Sequence, residues 1–326
     1  MNEAIIQAVE QLIIKNTGLE TVVEINNVET NKDGFNNEIT MFHLSFFHKA
    51  EKFSRPVVLK KFSHYVQFNK ELHILKSQSM NYINTPNIYF EDKENRVLLM
   101  EQIEGFTLDK YFTASASDAR MAFESFGSTL AHIHSIDVYK LNNGYFKNSQ
   151  SNGYIGSLRN RVKGFEDPIY RKILKNIEQS FKGVKFSEVL NHGDYHFWNT
   201  IMTNDNKLYI LDWEKAFLGD HRFDIANTLV LGYSWFGMDF KEPLLAAYQN
   251  NNHQEIEYLE CFEALLCFDS FTKAVPLLYG ADDVHIRDRT FEWLKRRYEL
   301  FVKHTGERIE KAEQYLFSKG LAVKIS

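Results

Sequence analysis

Apolar residues recur along the chain with two periods, and the change from one to the other divides it. Over residues 3–15, Ala4, Ile6, Val9 and Ile13 fall on one helical face, and Asn16-Thr17-Gly18 ends that helix. The next hundred residues mostly alternate. Strands are predicted over 21–30 and 39–47, joined by a turn over 31–37 that carries Asp33-Gly34. Pro56-Val57-Val58-Leu59-Lys60-Lys61-Phe62 is a third strand, with Val58 and Lys60 on one face and Lys61 on the other. A helix over 66–78 turns Phe68, Leu72 and Leu75 inward. Thr85-Pro86-Asn87 then breaks the chain before strands over 88–90 and 97–100.

Beyond residue 104 the helical period takes over. Ser117-Asp118 is placed to cap a helix over 119–135, the Gly- and Asn-rich stretch 139–167 reads as irregular, and 168–181 reads as a helix. Two short strands, 200–202 and 208–211, flank an Asn204 to Asn206 turn. From Phe236 onward the pattern is helical, and 289–317 is an amphipathic region of mixed charge. The expected class is α+β, with a small N-terminal sheet lobe over 1–103 and a larger, mainly helical C-terminal lobe over 104–326.

Composition narrows the function classes. The chain has 326 residues, 44% hydrophobic and 25% charged, with a formal net charge of −5. No basic face for nucleic acid is implied. Cys261 and Cys267 lie in an apolar helical pattern with no metal spacing, and the histidines form no H-E-x-x-H, so zinc chemistry is not expected. Acids among the first apolar residues rule out a signal peptide, and no apolar run is long enough to cross a bilayer. A cytoplasmic protein with no membrane partner is expected, its oligomeric state left open.

The candidate chemistry centres on Asn191-His192-Gly193-Asp194-Tyr195-His196-Phe197-Trp198-Asn199 and on Leu211-Asp212-Trp213-Glu214. A carboxylate can accept a proton. An amide oxygen and a second carboxylate can hold a Mg²⁺ ion that completes its shell with phosphate and water. Asp194 and Asn199 have the spacing of the D-x-x-x-x-N catalytic loop of protein kinases, and Asp212-Trp213-Glu214 stands where Asp-Phe-Gly does. The two strings, with Gly219-Asp220-His221-Arg222-Phe223-Asp224 behind them, resemble the aminoglycoside phosphotransferase family, a protein-kinase-like group that also includes choline, homoserine and methylthioribose kinases.

The resemblance implies a two-lobed protein-kinase-like fold and ATP-dependent transfer of a phosphoryl group to a small-molecule hydroxyl. It implies Asp194 as the catalytic base and Asn199 and Asp212 as the Mg²⁺ ligands. Lys60 would steady the phosphates and Glu71 would steady Lys60. Backbone groups of Glu101 and Ile103, in a strand-then-glycine hinge ending at Gly105, would meet the adenine. His196 either touches the transferred group or orients the loop, and Asp224 holds the loop from a helix start. Only twelve positions separate Asp212 from Asp224, too few for a long activation loop, which favours a small-molecule acceptor. The family string Leu-His-Pro-Gly-Asn is here Tyr195-His196-Phe197-Trp198-Asn199, a departure that bears on acceptor preference. Asp269 continues the apolar stripe of Leu259, Phe262 and Leu266, and acids are frequent between Asp239 and Asp283. An acid on such a stripe is either paired or faces a cleft. The second alternative makes Glu263 and Asp269 contacts for a cationic acceptor. An aminoglycoside, a metabolite such as choline, homoserine or a sugar, and a kinase-shaped binding protein without turnover remain the alternatives.

Overall fold

The computed structural model describes residues 2–18, 20–31, 37–48, 51–112, 114–141, 144, 146, 151–237, 240–252, 256–278 and 288–318. The expected turn at Asp33-Gly34 lies outside the described residues, as do Asp239, Glu255, Asp282 and Asp283 of the acidic run. In chain order the elements are α1 (Asn2–Thr17), β1 (Glu24–Asn31), β2 (Asn37–His48), β3 (Glu51–Phe62), α2 (Tyr65–Leu75), β4 (Ile88–Asp92), β5 (Val97–Glu101), β6 (Phe106–Thr107) and α3 (Asp109–Phe112). Then come α4 (Ala116–His134), α5 (Val138–Leu141), α6 (Ser151–Lys163), α7 (Ile169–Ser180), β7 (Val189–Asn191), β8 (Thr200–Met202) and β9 (Leu208–Ile210). The chain closes with β10 (Phe217–Gly219), α8 (Arg222–Phe236), α9 (Lys241–Gln249), α10 (Leu259–Leu278), α11 (Asp288–Thr305) and α12 (Glu310–Ser318).

Two compact units result. One is Met1–Thr113 with Phe197–Ala216, and the other is Ala114–His196 with Phe217–Ser326. The first is built on an antiparallel sheet in the order β1-β2-β3-β5-β4. Alternation along β3 and β5 gives the sheet two apolar faces. Val57 and Leu99 join Phe42 and Leu44 against Val9, Leu12 and Ile13 of α1. Phe62, Leu98 and Met100 join Phe68 and Leu72 of α2 on the other. A second small sheet, β6-β8-β9, belongs to the same unit. Gly105 precedes it, and a Cβ there would meet the Met202 carbonyl oxygen at 2.3 Å, so the hinge can pass β8 only as glycine.

The second unit is helical, with β7 and β10 paired antiparallel as its one small sheet among the described residues. Here the structure departs from the sequence reading in two places. The cap of α4 is Ser115, whose hydroxyl accepts from the Asp118 N–H, so the helix starts three residues earlier than expected. The stretch 151–163 is helical although Gly153 and Gly156 each cost about 1 kcal/mol in a helix. Burial of Leu158 and Val162, and a tie from Arg161 to Asp269, outweigh that propensity. The link from Asp212 to Asp224 holds a 3-10 turn, β10 and the start of α8.

Candidate functional site

Lys60 lies in the middle of β3 on the face toward α2, and only 4% of it is exposed. Its Nζ donates to Glu71 Oε2 of α2 at 2.7 Å and to Asp212 Oδ1 at 2.7 Å, with Glu214 Oε2 at 3.9 Å. Glu71, at 2% exposure, and Glu214 are buried as well, and Asn37 Nδ2 donates to Glu214 Oε2. Burial alone would lower the Lys60 pKa, but Glu71 and Asp212 more than offset it and hold the ammonium above its ordinary range. Burial pushes Glu71 up to about 7 against the pull of Lys60, with Asp212 and Glu214 adding repulsion. Burial and Asp212 likewise raise Glu214. One cation among three carboxylates is thus a poised arrangement, not a saturated one.

Asp212 is set by its backbone. Thr200 pairs with Ile210 in the β8–β9 hairpin, and the Leu211 N–H then donates to the Asn199 carbonyl at 2.9 Å. Asn199 and Asp212 are therefore neighbours at the open end of that hairpin. Asp212 itself has φ 63°, a left-handed conformation uncommon outside glycine and stored most often at functional positions. Trp213 behind it is fully buried and donates its indole N–H to the Ile210 carbonyl. The Asp212 side chain is 33% exposed, and Lys60 engages Oδ1 alone. Glu71, Asp212 and Glu214 offer oxygens within 4.8 Å of one another that could hold a metal ion, and Asn199 adjoins Asp212 through the hairpin backbone. At the hinge, the Glu101 carboxylate accepts from the Asn87 backbone and side chain. Glu101, Ile103 and Glu104 border a cavity of about 290 Å³ shared with Arg55, Tyr89 and Tyr209.

In the second unit, Asp224 near the start of α8 grips the His192-Gly193-Asp194 turn. Its two oxygens accept the His192 N–H at 2.6 Å and the Gly193 N–H at 2.9 Å. Gly193 has φ 79°, which lets the turn present both N–H groups to one carboxylate. His134 Nε2 lies 3.5 Å from the same carboxylate, and its Nδ1 meets the Tyr248 hydroxyl at 2.9 Å. His196 Nε2 lies 3.6 Å from Asp194 Oδ1. The Thr228 hydroxyl donates to the Tyr195 carbonyl and fixes the loop to α8 a second time.

Residues 44–259 match the model of the phosphotransferase enzyme family (APH). The chain belongs to this family. A curated relative, a protein LicA homolog of Metamycoplasma hominis, is 29% identical over 143 residues, which are 43% of this chain and 52% of that protein. The chain thus matches about half the length of that relative. Among solved structures, choline kinase LicA from Streptococcus pneumoniae is similar at TM-score 0.61 and 14% identity, covering 92% of this chain and 99% of that one. Aminoglycoside phosphotransferase APH(4)-Ia gives 0.59 at 12%, over 93% and 99%. A choline/ethanolamine kinase family protein from Mesorhizobium loti gives 0.59 at 15%, over 94% and 98%. The phosphotransferase fold, a small antiparallel sheet lobe with a helical lobe, is that of this chain.

As a member of the phosphotransferase enzyme family, the chain brings Lys60, Glu71, Asn199 and Asp212 together in its first unit. Asp194, His196 and Asp224 come together in its second. Sequence reasoning passed over Glu214, the fourth charged member of the Lys60 cluster. Its signal was an acid in the place of the glycine of Asp-Phe-Gly. Glu263 and Asp269 meet the first of the two alternatives left open for an acid on an apolar stripe. Both are buried. Asp269 holds Arg161 and Lys273 and accepts from Tyr154, and Glu263 lies 2.8 Å from His304 Nε2. Among the described residues no helix is long and apolar enough to cross a membrane.

Proposed function

We propose that this protein transfers the γ-phosphoryl group of ATP to a hydroxyl of a small molecule, and that the acceptor is a cationic amino alcohol of the choline type. The observation that carries the reading is the buried Lys60, held at 2.7 Å by both Glu71 and Asp212 in a member of the phosphotransferase enzyme family. A lysine fixed in this way keeps an N–H donor for phosphate oxygens without being free to fold away. Asp212 and Asn199 would hold Mg²⁺, which supplies charge neutralisation at the bridged phosphates. Asp194, on the turn that Asp224 fixes, would take the proton of the acceptor hydroxyl, with His196 beside it. The hinge backbone at Glu101 and Ile103 would receive the adenine, so residues 1–103 would serve the nucleotide and 104–326 the catalysis and the acceptor.

Support for the acceptor comes from the relatives: a LicA homolog by sequence, and choline kinase LicA and a choline/ethanolamine kinase family protein by structure. Aminoglycosides, the substrates named for other structural neighbours, are the second acceptor class. Glu263 and Asp269 are left out of the proposed acceptor contacts, because both are buried, Asp269 against Arg161 and Lys273 and Glu263 beside His304. The test is Mg²⁺-dependent ADP release with choline, ethanolamine, homoserine, methylthioribose and aminoglycosides as acceptors. Choline-stimulated release supports the reading. Release stimulated by an aminoglycoside alone replaces the acceptor, and nucleotide binding with no stimulated release removes the kinase assignment.

A further inference from the structure

The second unit buries a guanidinium that, among the described residues, no carboxylate meets in an ion pair. Arg297 of α11 is 8% exposed. Its Nε donates to Ser234 Oγ of α8 at 3.2 Å, one terminal nitrogen donates to Ser270 Oγ of α10, and the group lies 4.0 Å above the Trp293 ring. Among the described residues its other terminal nitrogen makes no hydrogen bond. Among the described residues no carboxylate oxygen lies within the 4.0 Å that would make an ion pair with it. Asp269, whose charge reaches Arg297 through space, is paired with Arg161 and Lys273. Three cations therefore share one carboxylate here. Next to Arg297, Arg296 also turns to carbonyls, those of Ser234 and Trp235.

A charge this deep is costly unless something opposite meets it. Two hydroxyls and an indole face orient the guanidinium but supply no net charge. An arginine held over an aromatic ring, with one N–H edge unpaired, is preorganised for a planar or tetrahedral oxyanion. We propose that Arg297 is the seat of an anion-binding site in the helical unit, formed by α8, α10 and α11, that takes a carboxylate or phosphate group. Burial lowers the Arg297 pKa to about 10, which still leaves it fully charged at neutral pH. Ser234 lies ten residues after Asp224 on α8, about 15 Å along the same helix. The seat is thus tied to the helix that fixes the His192-Gly193-Asp194 turn, without touching that turn. A cationic amino alcohol is repelled by it, so the occupant is either a free inorganic anion or the acidic end of a larger molecule.

Trp293 under the guanidinium gives a local signal. The full-length protein is titrated with inorganic phosphate, and separately with acetate, at constant ionic strength in chloride, while tryptophan fluorescence and Tm are followed. A saturable fluorescence change and a rising Tm with one of the anions are expected. Arg297→Gln should weaken that response at least tenfold, and Lys60→Ala should keep it, which separates this seat from the nucleotide phosphates. Trp293→Phe should lose most of the fluorescence change and keep the rise in Tm. If Arg297→Gln does not fold, Arg297→Lys decides, because it retains the charge and loses the planar fork. A free anion leaves the kinetics of ADP release untouched, whereas the acidic end of an acceptor is displaced by phosphate and its KM rises with kcat unchanged. No saturable response to either anion, or an equal response in the Arg297 variant, overturns the proposal.

Discussion

Lys60→Met tests the charge balance of the first unit. Glu71, Asp212 and Glu214 offer oxygens within 4.8 Å of one another, and Lys60 is the cation that all three share. Removing one partner of a buried pair typically costs about 3–5 kcal/mol, because the other charge stays buried and unpaired. Here the cost depends on pH. Glu71 has an ordinary value of 4.5 and is raised to about 7 in the fold, a difference worth roughly 3 kcal/mol. The folded protein therefore holds a proton that the unfolded chain has released. Its stability falls as pH rises from about 4.5 to about 7, and is flat above that as far as Glu71 is concerned. Without Lys60 the main attraction favouring the charged form is gone, and the window extends to higher pH. Lys60→Met should therefore lose about 3–5 kcal/mol near pH 8 and clearly less near pH 5.5, where Glu71 is protonated in both proteins. Urea unfolding of the natural protein and the variant at the two pH values measures this. Lys61→Ala is the control. Lys61 lies on the other face of β3, more than half exposed and 3.5 Å from Glu38, so about 0.5 kcal/mol or less is expected. An equal loss at both pH values, or a Lys61 effect as large as that of Lys60, refutes the reasoning.

The two aspartates should fail differently. Asp194→Asn is expected to keep Mg²⁺–ATP affinity and lose about 10²–10⁴ in kcat, while Asp212→Asn also raises the Mg²⁺ needed for half-maximal nucleotide binding. A Mg²⁺ titration of nucleotide binding on each variant checks this, and the reverse pattern exchanges their roles. Asp224→Ala leaves the His192 and Gly193 N–H groups without their acceptor, which should cost about 2–4 kcal/mol in thermal unfolding and lower kcat together with stability. Asp269→Asn should destabilise through Arg161 and Lys273 while leaving the acceptor KM within about twofold. A tenfold rise in that KM would return Asp269 to the acceptor site.

The first unit was largely legible in the sequence. Alternation over Pro56 to Phe62 put Lys60 and Lys61 on opposite faces, and the fold keeps them there, buried and exposed. The helix stripe Phe68, Leu72 with Glu71 between them carried the partner of Lys60. Short-range order suffices for this, since a strand and the helix after it settle the geometry between them. The helical unit was less legible for the corresponding reason. Glycines at 153 and 156 lower local helix propensity, and only packing of Leu158 and Val162 restores α6. Asp224 was read as a loop anchor from the family resemblance, and it accepts the His192 and Gly193 N–H groups. The contribution of His134, ninety residues earlier, has no local signal.

Charge shows the limit most sharply. Counted along the chain, the segment from Asp239 to Asp283 is rich in acids and suggests a surface waiting for a cation. In the folded unit, Glu263 faces His304, Glu260 is met by Lys241, and Asp269 is met from α6 and from its own helix. Arg161 and His304 come from helices remote in sequence, while Lys241 and Lys273 lie within the run itself. What survives this pairing is the opposite sign, a guanidinium on α11 held by two serines and an indole. An acid on an apolar stripe has to be neutralised before the helix can pack, so acidic density within a core-facing helix predicts basic residues on its neighbours. The residue free to meet a ligand is then the one left over after those pairs have formed. Among the described residues of this unit, Arg297 is a buried charge left without an ion pair, where a count along the sequence points to Asp269.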